Sequence, residues 1–284
     1  MNWRVRHITT YRYAGNVDMA THMLHLSPRA LPHQRVVWDE VVCTPAPARI
    51  TGGTDHFGNR VTWLSIDTPH DRFSVVAESL VETAFPQPPP ANATPAWEHV
   101  AASPGIGAVE FTFPSPMLPE NAAARDYVAA SFPPRRPVLA GLLDLNGRIR
   151  RDFAFRAGVT GISTTVAQVL AQRAGVCQDF THLMVNGLRG LGLPARYVSG
   201  YIRTLPPPGG VARRGADQSH AWVGAWLGPE HGWIDLDPTN DVVVADEHVV
   251  LGWGRDFSDV SPLRGIILGG GRHRLDVGVD LTPA

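Results

Sequence analysis

The sequence predicts an α+β protein, in which an N-terminal antiparallel β-sandwich precedes helices packed on a second antiparallel sheet. Up to about residue 83 the chain contains short segments rich in β-branched and aromatic residues, which predict strands. A proline-rich run follows at 85–90, and beyond it apolar residues recur at helical spacing before alternation returns after Pro194. We therefore expect a β-sandwich domain at 1–90, a linker and irregular connection at 91–135, and an α+β domain at 136–284.

Five strands are expected in the first domain, at residues 3–13, 19–26, 36–43, 60–66 and 73–81. The runs AGN at 14–16, GG at 52–53 and DHFGN at 55–59 supply residues that tight turns favour. This spacing is typical of an antiparallel sandwich. The proline-rich run and Pro95 then predict a stiff, extended connector, because proline fixes φ and has no N–H to donate.

Three helices are expected after the connector. Apolar spacing predicts the first at 137–153, and a threonine cap before residue 166 predicts a short second helix that Gly175 ends. The clearest helix spans 177–191, where one face carries Phe180, Met184, Leu188 and Leu191.

Alternating segments predict the second sheet. Strands are expected at 195–203, 219–227 and 233–237, and a last strand at 272–281 returns to a sheet. A proline–glycine loop is expected at 206–210.

Composition excludes several classes of protein. The 25 Lys and Arg residues nearly balance the 26 Asp and Glu residues, so the basic excess typical of nucleic-acid binding is missing. No stretch approaches the roughly 20 apolar residues that span a bilayer. Only two cysteines occur, 134 positions apart, and charged residues interrupt the N-terminal segment where a signal peptide needs an apolar run. We expect a cytoplasmic protein without a membrane or nucleic-acid partner.

Cys177 is a candidate nucleophile because it opens the clearest helix. Unpaired N–H groups and the positive end of the helix dipole stabilise a thiolate there, and the same groups can hold an oxyanion. His182 lies five residues further on and is therefore rotated by about 140° from Cys177, given roughly 100° per residue, so it cannot be the base. Cys43, within an apolar strand, is interpreted as a buried side chain.

His220 is the candidate base. Alternation places His220, Trp222 and Trp226 on one face of their strand, and Asp235 and Asp237 on one face of the next strand. A two-residue turn pairs residues whose numbers sum to 457, which sets Asp237 opposite His220; a longer loop, with a sum of 461, slides the two apart by four residues. Both registers remain open at this point.

Four motifs resemble the bacterial transglutaminase-like family. They are GVCQDFTH at 175–182, PARYVSGY at 194–201, HAW at 220–222 and DPT at 237–239. The N-terminal stretch, which begins with WRVRH at 3–7 and runs through DHFGN at 55–59, resembles the β-rich N-terminal domain of such proteins, and residues 254–265 are similar to the family's C-terminal portion. The resemblance implies a papain-like transglutaminase core preceded by an N-terminal β-sandwich.

The resemblance also implies a catalytic triad, with Cys177 as nucleophile, His220 as general base and acid, and Asp237 as the group that orients the imidazole. Asp235 is the rival for the orienting role, because it shares the face. Gln178 and Asp179 are candidates for oxyanion binding or for support of the triad. Trp222 and Trp226 either line an acyl cleft or belong to the core.

The implied reaction forms a thioester from a peptide or a glutamine-type amide. Hydrolysis would make the protein a peptidase or amidase, and this outcome is preferred; transfer to an amine would make it a transamidating enzyme. A third hypothesis is that the chain is a non-catalytic binding or scaffolding protein with the same fold. We expect a peptide or protein substrate, while the sequence gives no oligomeric state.

No cofactor or metal ion is expected. The acidic cluster that starts at Asp235 lacks the Gly and Glu of a calcium-binding EF-hand loop, and neither cysteine has the close His or Cys partner of a zinc site. No phosphate-binding loop sequence occurs.

Overall fold

The computed structural model describes residues 1–203 and 219–284. The proline–glycine loop expected at 206–210 lies outside the described residues. In the described part of the chain, no helix is both long and apolar enough to cross a membrane.

The N-terminal region forms one hydrogen-bonded antiparallel sheet. Its strands are β1 (Asn2–Leu24), β2 (Gln34–Thr44), β3 (Arg49–Thr54), β4 (Arg60–Ile66) and β5 (His70–Thr83). They lie in the order β2-β5-β1-β4-β3. Side chains from β1, β2, β4 and β5 pack into one core that includes Leu24, Cys43, Ile66 and Phe73. The predicted antiparallel β architecture is confirmed.

Two predicted turns are wrong. Residues 14–16 stay within β1, because Ala14 and Gly15 donate backbone hydrogen bonds to carbonyls of the C-terminal segment, and a register shift against β5 takes up the irregularity. Residues 52–53 lie within β3. A side chain at Gly53 would come 2.7 Å from the Trp63 ring on β4, so the glycine there permits close strand packing and makes no turn.

The region at 91–135, expected to be a linker and irregular connection, contains three α-helices. They are α1 (Trp97–Ala102), α2 (Ile106–Val109) and α3 (Ala122–Ala129), and α4 (Val138–Asp152) follows at the predicted position. The Asn121 side chain caps α3 by accepting a hydrogen bond from the Ala124 N–H. Ala124 and Val128 of α3 are buried in the core of the second half, so these residues belong to the helical layer.

Short strands and helices alternate around Cys177: β6 (Ala154–Phe155), α5 (Val166–Gln172), β7 (Ala174–Gly175) and α6 (Cys177–Gly190). Thr165 caps α5 as predicted, in a capping box with Gln168. The end of α5 differs from the prediction. Arg173 adopts a left-handed conformation at φ 51°, and Gly175 instead pairs with Phe155 in the parallel β6–β7 bridge.

The second sheet is antiparallel throughout and lies against α6. Its strands are β8 (Ala195–Ile202), β9 (Ser219–Trp226), β10 (Trp233–Asp237), β11 (Val242–Val243) and β12 (His248–Gly254), in the order β11-β10-β9-β8-β12. Every α6 residue from 179 to 189 is buried, so α6 is a central helix and not a surface helix with one apolar face. The sequence did not predict β11 or β12.

The C-terminal strands return to the first sheet. Strands β13 (Leu263–Gly269) and β14 (His273–Pro283) both pair with β1, as in the registers His22↔Gly265 and His7↔Val279. The expected single domain at 136–284 is therefore wrong for its last 22 residues, because their backbone hydrogen bonds are made to β1. A shared core joins the two sheets: Trp3, Val5, Val81, Tyr201, Val249, Leu251, Val279 and Leu281.

Candidate active site

Cys177 lies half-buried at the first position of α6, one residue after the end of β7. The first N–H groups of a helix have no carbonyl partner within it, so the N–H groups of Cys177 and Gln178 are available to an incoming oxygen. This is the geometry that a nucleophile with an adjacent oxyanion site requires.

The start of α6 is fixed by Asp179. Its carboxylate Oδ2 accepts hydrogen bonds from the Val176 N–H and from the Thr160 hydroxyl, each at 2.7 Å. A side chain at Gly175 would come 2.7 Å from this oxygen, so glycine at that position lets the carboxylate fold back on the chain. Burial raises the pKa of Asp179, while its two hydrogen bonds act in the opposite direction. Asp179 therefore supports the nucleophile's helix and has no donor to offer an oxyanion.

His220 and Asp237 form a buried pair. His220 Nε2 lies 2.7 Å from Asp237 Oδ2, and the two side chains are 8% and 0% exposed. An ionised carboxylate only accepts hydrogen bonds, so Nε2 carries the proton and Nδ1 is left for Cys177, to which His220 is also hydrogen-bonded. Nδ1 is thus the ring nitrogen that exchanges a proton with the thiol.

The pKa values of the pair move in opposite directions. Burial lowers the pKa of His220, but the hydrogen bonds and charges of Asp237 and Cys177 outweigh burial and raise it above its usual value. Burial raises the pKa of Asp237, yet hydrogen bonds from His220 and Asn240, together with the nearby His248 ring, hold it well below its usual range. An imidazolium formed at His220 therefore has a permanent counter-charge beside it.

Asp237 is held by several donors besides His220. Its Oδ1 accepts the Thr239 N–H at 2.9 Å and the Asn240 N–H at 3.3 Å, while the Asn240 side chain donates to Oδ2 at 2.6 Å. His248 Nε2, on β12, lies 3.6 Å from Oδ2. Sequence reasoning missed the support from Asn240 and His248. The Asx-turn pattern after Asp237 signals the first of these, but no local pattern signals His248.

The register of β9 and β10 differs from both predicted registers. Leu236 pairs with Val223 and Trp233 pairs with Trp226, so paired numbers sum to 459. The hairpin closes through a hydrogen bond from the Leu227 N–H to the Gly232 carbonyl, which leaves a four-residue loop between them. His220 and Asp237 are consequently on the same face of the sheet, but Asp237 is two residues away from the position directly opposite His220. Their side chains still reach each other and form a hydrogen bond.

Asp235 does not orient His220. Its Oδ2 accepts the indole N–H of Trp222 at 3.0 Å, and its Oδ1 lies 3.8 Å from the Arg196 guanidinium. It lines a separate cavity of about 710 Å³, together with Arg196, Trp233 and Trp253. The rival assignment is therefore wrong, because this carboxylate is engaged on the far side of Trp222.

The two tryptophans do not line the cleft at Cys177. Trp222 is fully buried and packs with Val198, Val244 and Val250. Trp226 packs against the main core and the Trp233 ring, whose centroid lies 5.3 Å away. The packing therefore supports the second alternative, in which both tryptophans belong to the core.

The cleft at Cys177 and His220 has a volume of about 340 Å³. The Gln178 side chain lines it and donates to the Ile162 carbonyl at 3.4 Å. Walls come from several parts of the fold: His7, Thr9 and Tyr11 of β1; Phe155 and Ile162 of the β6–α5 region; Tyr197 and Ser199 of β8; and Leu275 and Val277 of β14.

The segment at 254–265, to which the sequence assigned no chemistry, closes the cleft on one side. Phe257, Pro262 and Leu263 line it. The Phe257 N–H donates to His182 Nε2 at 3.3 Å, and burial lowers the pKa of His182 to about 4. His182 is therefore a buried support for this wall. Cys43 is buried as predicted, and burial raises the pKa of its thiol to about 11.

Within residues 1–203 and 219–284, no group of three or more His, Cys, Asp or Glu side chains is placed to hold a metal ion.

Two stretches of the chain match known protein families. Residues 3–82 match the bacterial transglutaminase-like N-terminal region, and residues 127–238 match the transglutaminase-like superfamily. The second match contains all three residues of the predicted triad.

Similar proteins cover almost the whole chain. Uncharacterized proteins of Mycobacterium tuberculosis and Mycobacterium bovis are each 41% identical over 290 residues, which is 99% of this chain and 92% of theirs. A protein-glutamine gamma-glutamyltransferase of Pseudomonas aeruginosa is 30% identical over 125 residues, which is 44% of this chain and 19% of that protein.

A solved structure shares the fold. The crystal structure of a Cytophaga hutchinsonii protein, provisionally assigned as a cysteine protease, has a TM-score of 0.76 and 21% identity, and the match covers 100% of this chain and 90% of that chain. A β-rich N-terminal region and a papain-like core are thus common to both. With both family matches and full-length relatives in place, this chain belongs to the bacterial transglutaminase-like family, a family of cysteine-dependent enzymes.

Proposed function

We propose that the protein is a cysteine-dependent acyl-transfer enzyme that forms a thioester on Cys177 from a peptide or glutamine-type amide and then hydrolyses it. The observation that carries this proposal is the continuous hydrogen-bonded chain from Cys177 through His220 to Asp237, which starts at a helix N-terminus. Nucleophile, base and orienting carboxylate in this order are what acyl transfer by a thiol requires.

The first half-reaction forms the thioester. The Cys177 thiol gives its proton to His220 Nδ1, and the sulfur attacks the amide carbonyl carbon. The N–H groups at the start of α6 hold the developing oxyanion. When the tetrahedral intermediate collapses, the carbon–nitrogen bond breaks and the departing amine takes the proton from His220.

The second half-reaction uses water. His220 takes a proton from the water, the hydroxide attacks the thioester carbon, and the carbon–sulfur bond breaks to release a carboxylic acid. The proton on His220 returns to the Cys177 sulfur. Asp237 stays ionised throughout and stabilises the imidazolium in each half.

Transfer to an amine acceptor is the second candidate, and the similarity to a protein-glutamine gamma-glutamyltransferase over 44% of the chain supports it. The cleft lining favours water. No Asp or Glu is among the described residues that line the cleft, and an amine acceptor that arrives as an ammonium ion would be held best by a carboxylate.

The test is the rate at which iodoacetamide alkylates Cys177 at neutral pH, followed by intact-mass spectrometry. We expect rapid labelling that falls about tenfold or more in His220→Ala and is abolished in Cys177→Ala. A peptide library with and without added amine then separates hydrolysis from transamidation by product mass. Slow labelling that is the same in His220→Ala would favour a non-catalytic binding protein instead.

A further inference from the structure

Two strands of the first sheet continue past the interface between the sheets and reach the cleft at Cys177. On β14, alternation puts Leu281, Val279, Val277 and Leu275 in one row. Leu281 and Val279 are buried in the core shared with the second sheet, whereas Val277 and Leu275 line the cleft. The buried half of the row therefore fixes the position of the exposed half.

The neighbouring strand follows the same pattern. In the β1–β14 register, Thr9 pairs with Val277 and Tyr11 pairs with Leu275. We name these four residues, Thr9, Tyr11, Val277 and Leu275, the β1–β14 wall. It faces Cys177 and His220 from a different sheet, so the N-terminal sheet contributes to the candidate site directly.

Apolar side chains at the cleft are unusually exposed. Leu275 and Val277 are 47% and 50% exposed, and Phe155 and Ile162 on the other side of the same cleft are 49% and 65% exposed. Exposed apolar surface that is concentrated beside a reactive group is typical of a binding site.

The buried histidine beside the wall, His7, is already hydrogen-bonded and uncharged. His7 is hydrogen-bonded to the Tyr201 hydroxyl at 2.8 Å and to the Thr9 hydroxyl at 2.9 Å. Burial lowers the pKa of His7 to about 4, so its ring is uncharged at neutral pH. No Asp, Glu, Lys or Arg occurs among the described residues that line the cleft. A charged substrate side chain would lose hydration there and gain no partner.

We infer that the acyl donor carries a large, uncharged apolar side chain next to the reacting amide, and that the β1–β14 wall selects for it. This inference rests on the proposed function, because it takes Cys177 as the reacting group. It assigns the N-terminal sheet a role in substrate selection.

Chloromethyl ketones of N-acetylated amino acids test the inference, because the Cys177 sulfur displaces chloride and forms a stable carbon–sulfur bond. Labelling rates are measured by intact-mass spectrometry for the Phe, Leu, Ala, Asp and Lys derivatives. Each rate is divided by that of iodoacetamide, which has no side chain. We expect the Phe and Leu derivatives to label about 10 to 100 times faster than the Ala derivative, and the Asp and Lys derivatives no faster than Ala.

Matched variants locate the selectivity. In Leu275→Asp and Val277→Asp, we expect the Phe-over-Lys ratio to fall about tenfold or more. Ile266→Asp is the control, because Ile266 is an apolar strand residue that is 82% exposed and lies outside the cleft; its ratio should equal that of the wild type. Normalised rates that do not depend on the side chain, or ratios that change equally in all three variants, would overturn the inference.

The iodoacetamide arm separates this failure from a failure of the proposed function. Fast, His220-dependent iodoacetamide labelling with no side-chain preference overturns only the role of the wall. Slow labelling that does not depend on His220 overturns the proposed function, and the inference with it.

Discussion

The Asp237 carboxylate is the residue on which the geometry of the candidate site depends. It is fully buried, and its two oxygens accept hydrogen bonds from His220, from two backbone N–H groups and from the Asn240 amide. A buried carboxylate with this many donors is fixed in one orientation, and it fixes the tautomer of His220 in turn.

Asp237→Asn should preserve the fold and impair the nucleophile. An amide in place of the carboxylate removes the negative charge beside His220, so the imidazolium loses its counter-charge and the preferred tautomer is no longer enforced. We expect iodoacetamide labelling of Cys177 at pH 7 to slow by about tenfold or more. Circular dichroism checks the fold, and an unchanged labelling rate in a folded variant would remove Asp237 from the proposed mechanism.

The two further neighbours of Asp237 should differ in their contributions to stability. Asn240→Ala removes a 2.6 Å hydrogen bond to an ionised group, which is worth about 1.5–3 kcal/mol in the free energy of unfolding. His248 is buried, and neither of its ring nitrogens has a hydrogen-bond partner among the described residues. His248→Phe should therefore change the free energy of unfolding by about 1 kcal/mol or less. Urea unfolding of both variants compares them, and a larger loss for His248→Phe would contradict this order.

Helix α6 positions the nucleophile, and the buried Asp179 side chain caps α6. Asp179→Ala leaves the Val176 N–H and the Thr160 hydroxyl without their acceptor, so we expect a loss of about 1–3 kcal/mol in stability. The labelling rate of Cys177 should fall as well, because the first turn of α6 loses its fixed geometry.

Thr165→Ala is the matched control for this cap. Thr165 caps α5 in a more exposed capping box, so its loss should cost about 1 kcal/mol but leave the Cys177 labelling rate unchanged. Equal effects of the two substitutions on labelling would mean that the Asp179 cap acts only on global stability.

Helices marked by a capping residue or by apolar spacing could be predicted from the sequence. Strands whose position depends on pairing with a distant strand could not. The capping threonine and the apolar spacing placed α5 and α6 within one or two residues. The strand β3 was missed because Gly52 and Gly53 read as a turn, although Gly53 is there to accommodate Trp63 from the neighbouring strand. The sequence also could not choose the β9–β10 register, since side-chain parity is the same for sums of 457, 459 and 461. Parity placed His220 and Asp237 on one face, and the loop length decided the offset.

Strands β1 and β14, from opposite ends of the sequence, join the two sheets. Strand β14 follows the whole second sheet in sequence but pairs with β1, and Val279 and Leu281 pack with Tyr201 and Val249 of the second sheet. The sequence predicted a last strand without its partner, because long-range pairing leaves no local pattern. The predicted domain boundaries missed the pairing of β14 with β1. This pairing brings the first sheet to the cleft.

Acid should destabilise the whole fold through its buried histidines. Burial lowers the pKa values of His7, His22 and His182 to about 4 each, and it also lowers those of His25 and His33. Between pH 6.5 and about 4, the unfolded chain protonates His7, His22 and His182 and the folded chain does not. The unfolded state then binds more protons, so the free energy of unfolding falls as the pH is lowered, by up to about 1.4 kcal/mol per pH unit for each group.

The His220–Asp237 pair does not reverse this trend. The pKa of His220 is raised to about 10 in the folded state, so the folded chain already holds this proton and only the unfolded chain takes it up as the pH falls through about 6.5. The contribution of this one residue has the opposite sign, and it is complete about one pH unit below 6.5. The pKa of Asp237 is lowered, so its contribution to stability is lost only near and below the usual carboxyl range. Between about pH 5.5 and the carboxyl range, the pair therefore adds no appreciable slope to that of the buried histidines.

His22 isolates one contribution to this acid sensitivity. Its ring stacks on Phe73 at 4.4 Å, and neither ring nitrogen has a hydrogen-bond partner in the described ranges, so His22→Phe keeps the stack and removes the titrating group. Urea unfolding followed by tryptophan fluorescence at pH 7, 6 and 5 measures the slope. We expect His22→Phe to flatten it by up to about 1.4 kcal/mol per pH unit, whatever the change in stability at pH 7. A slope equal to that of the wild type would show that His22 is protonated in the folded protein, which would contradict its dry position against Phe73.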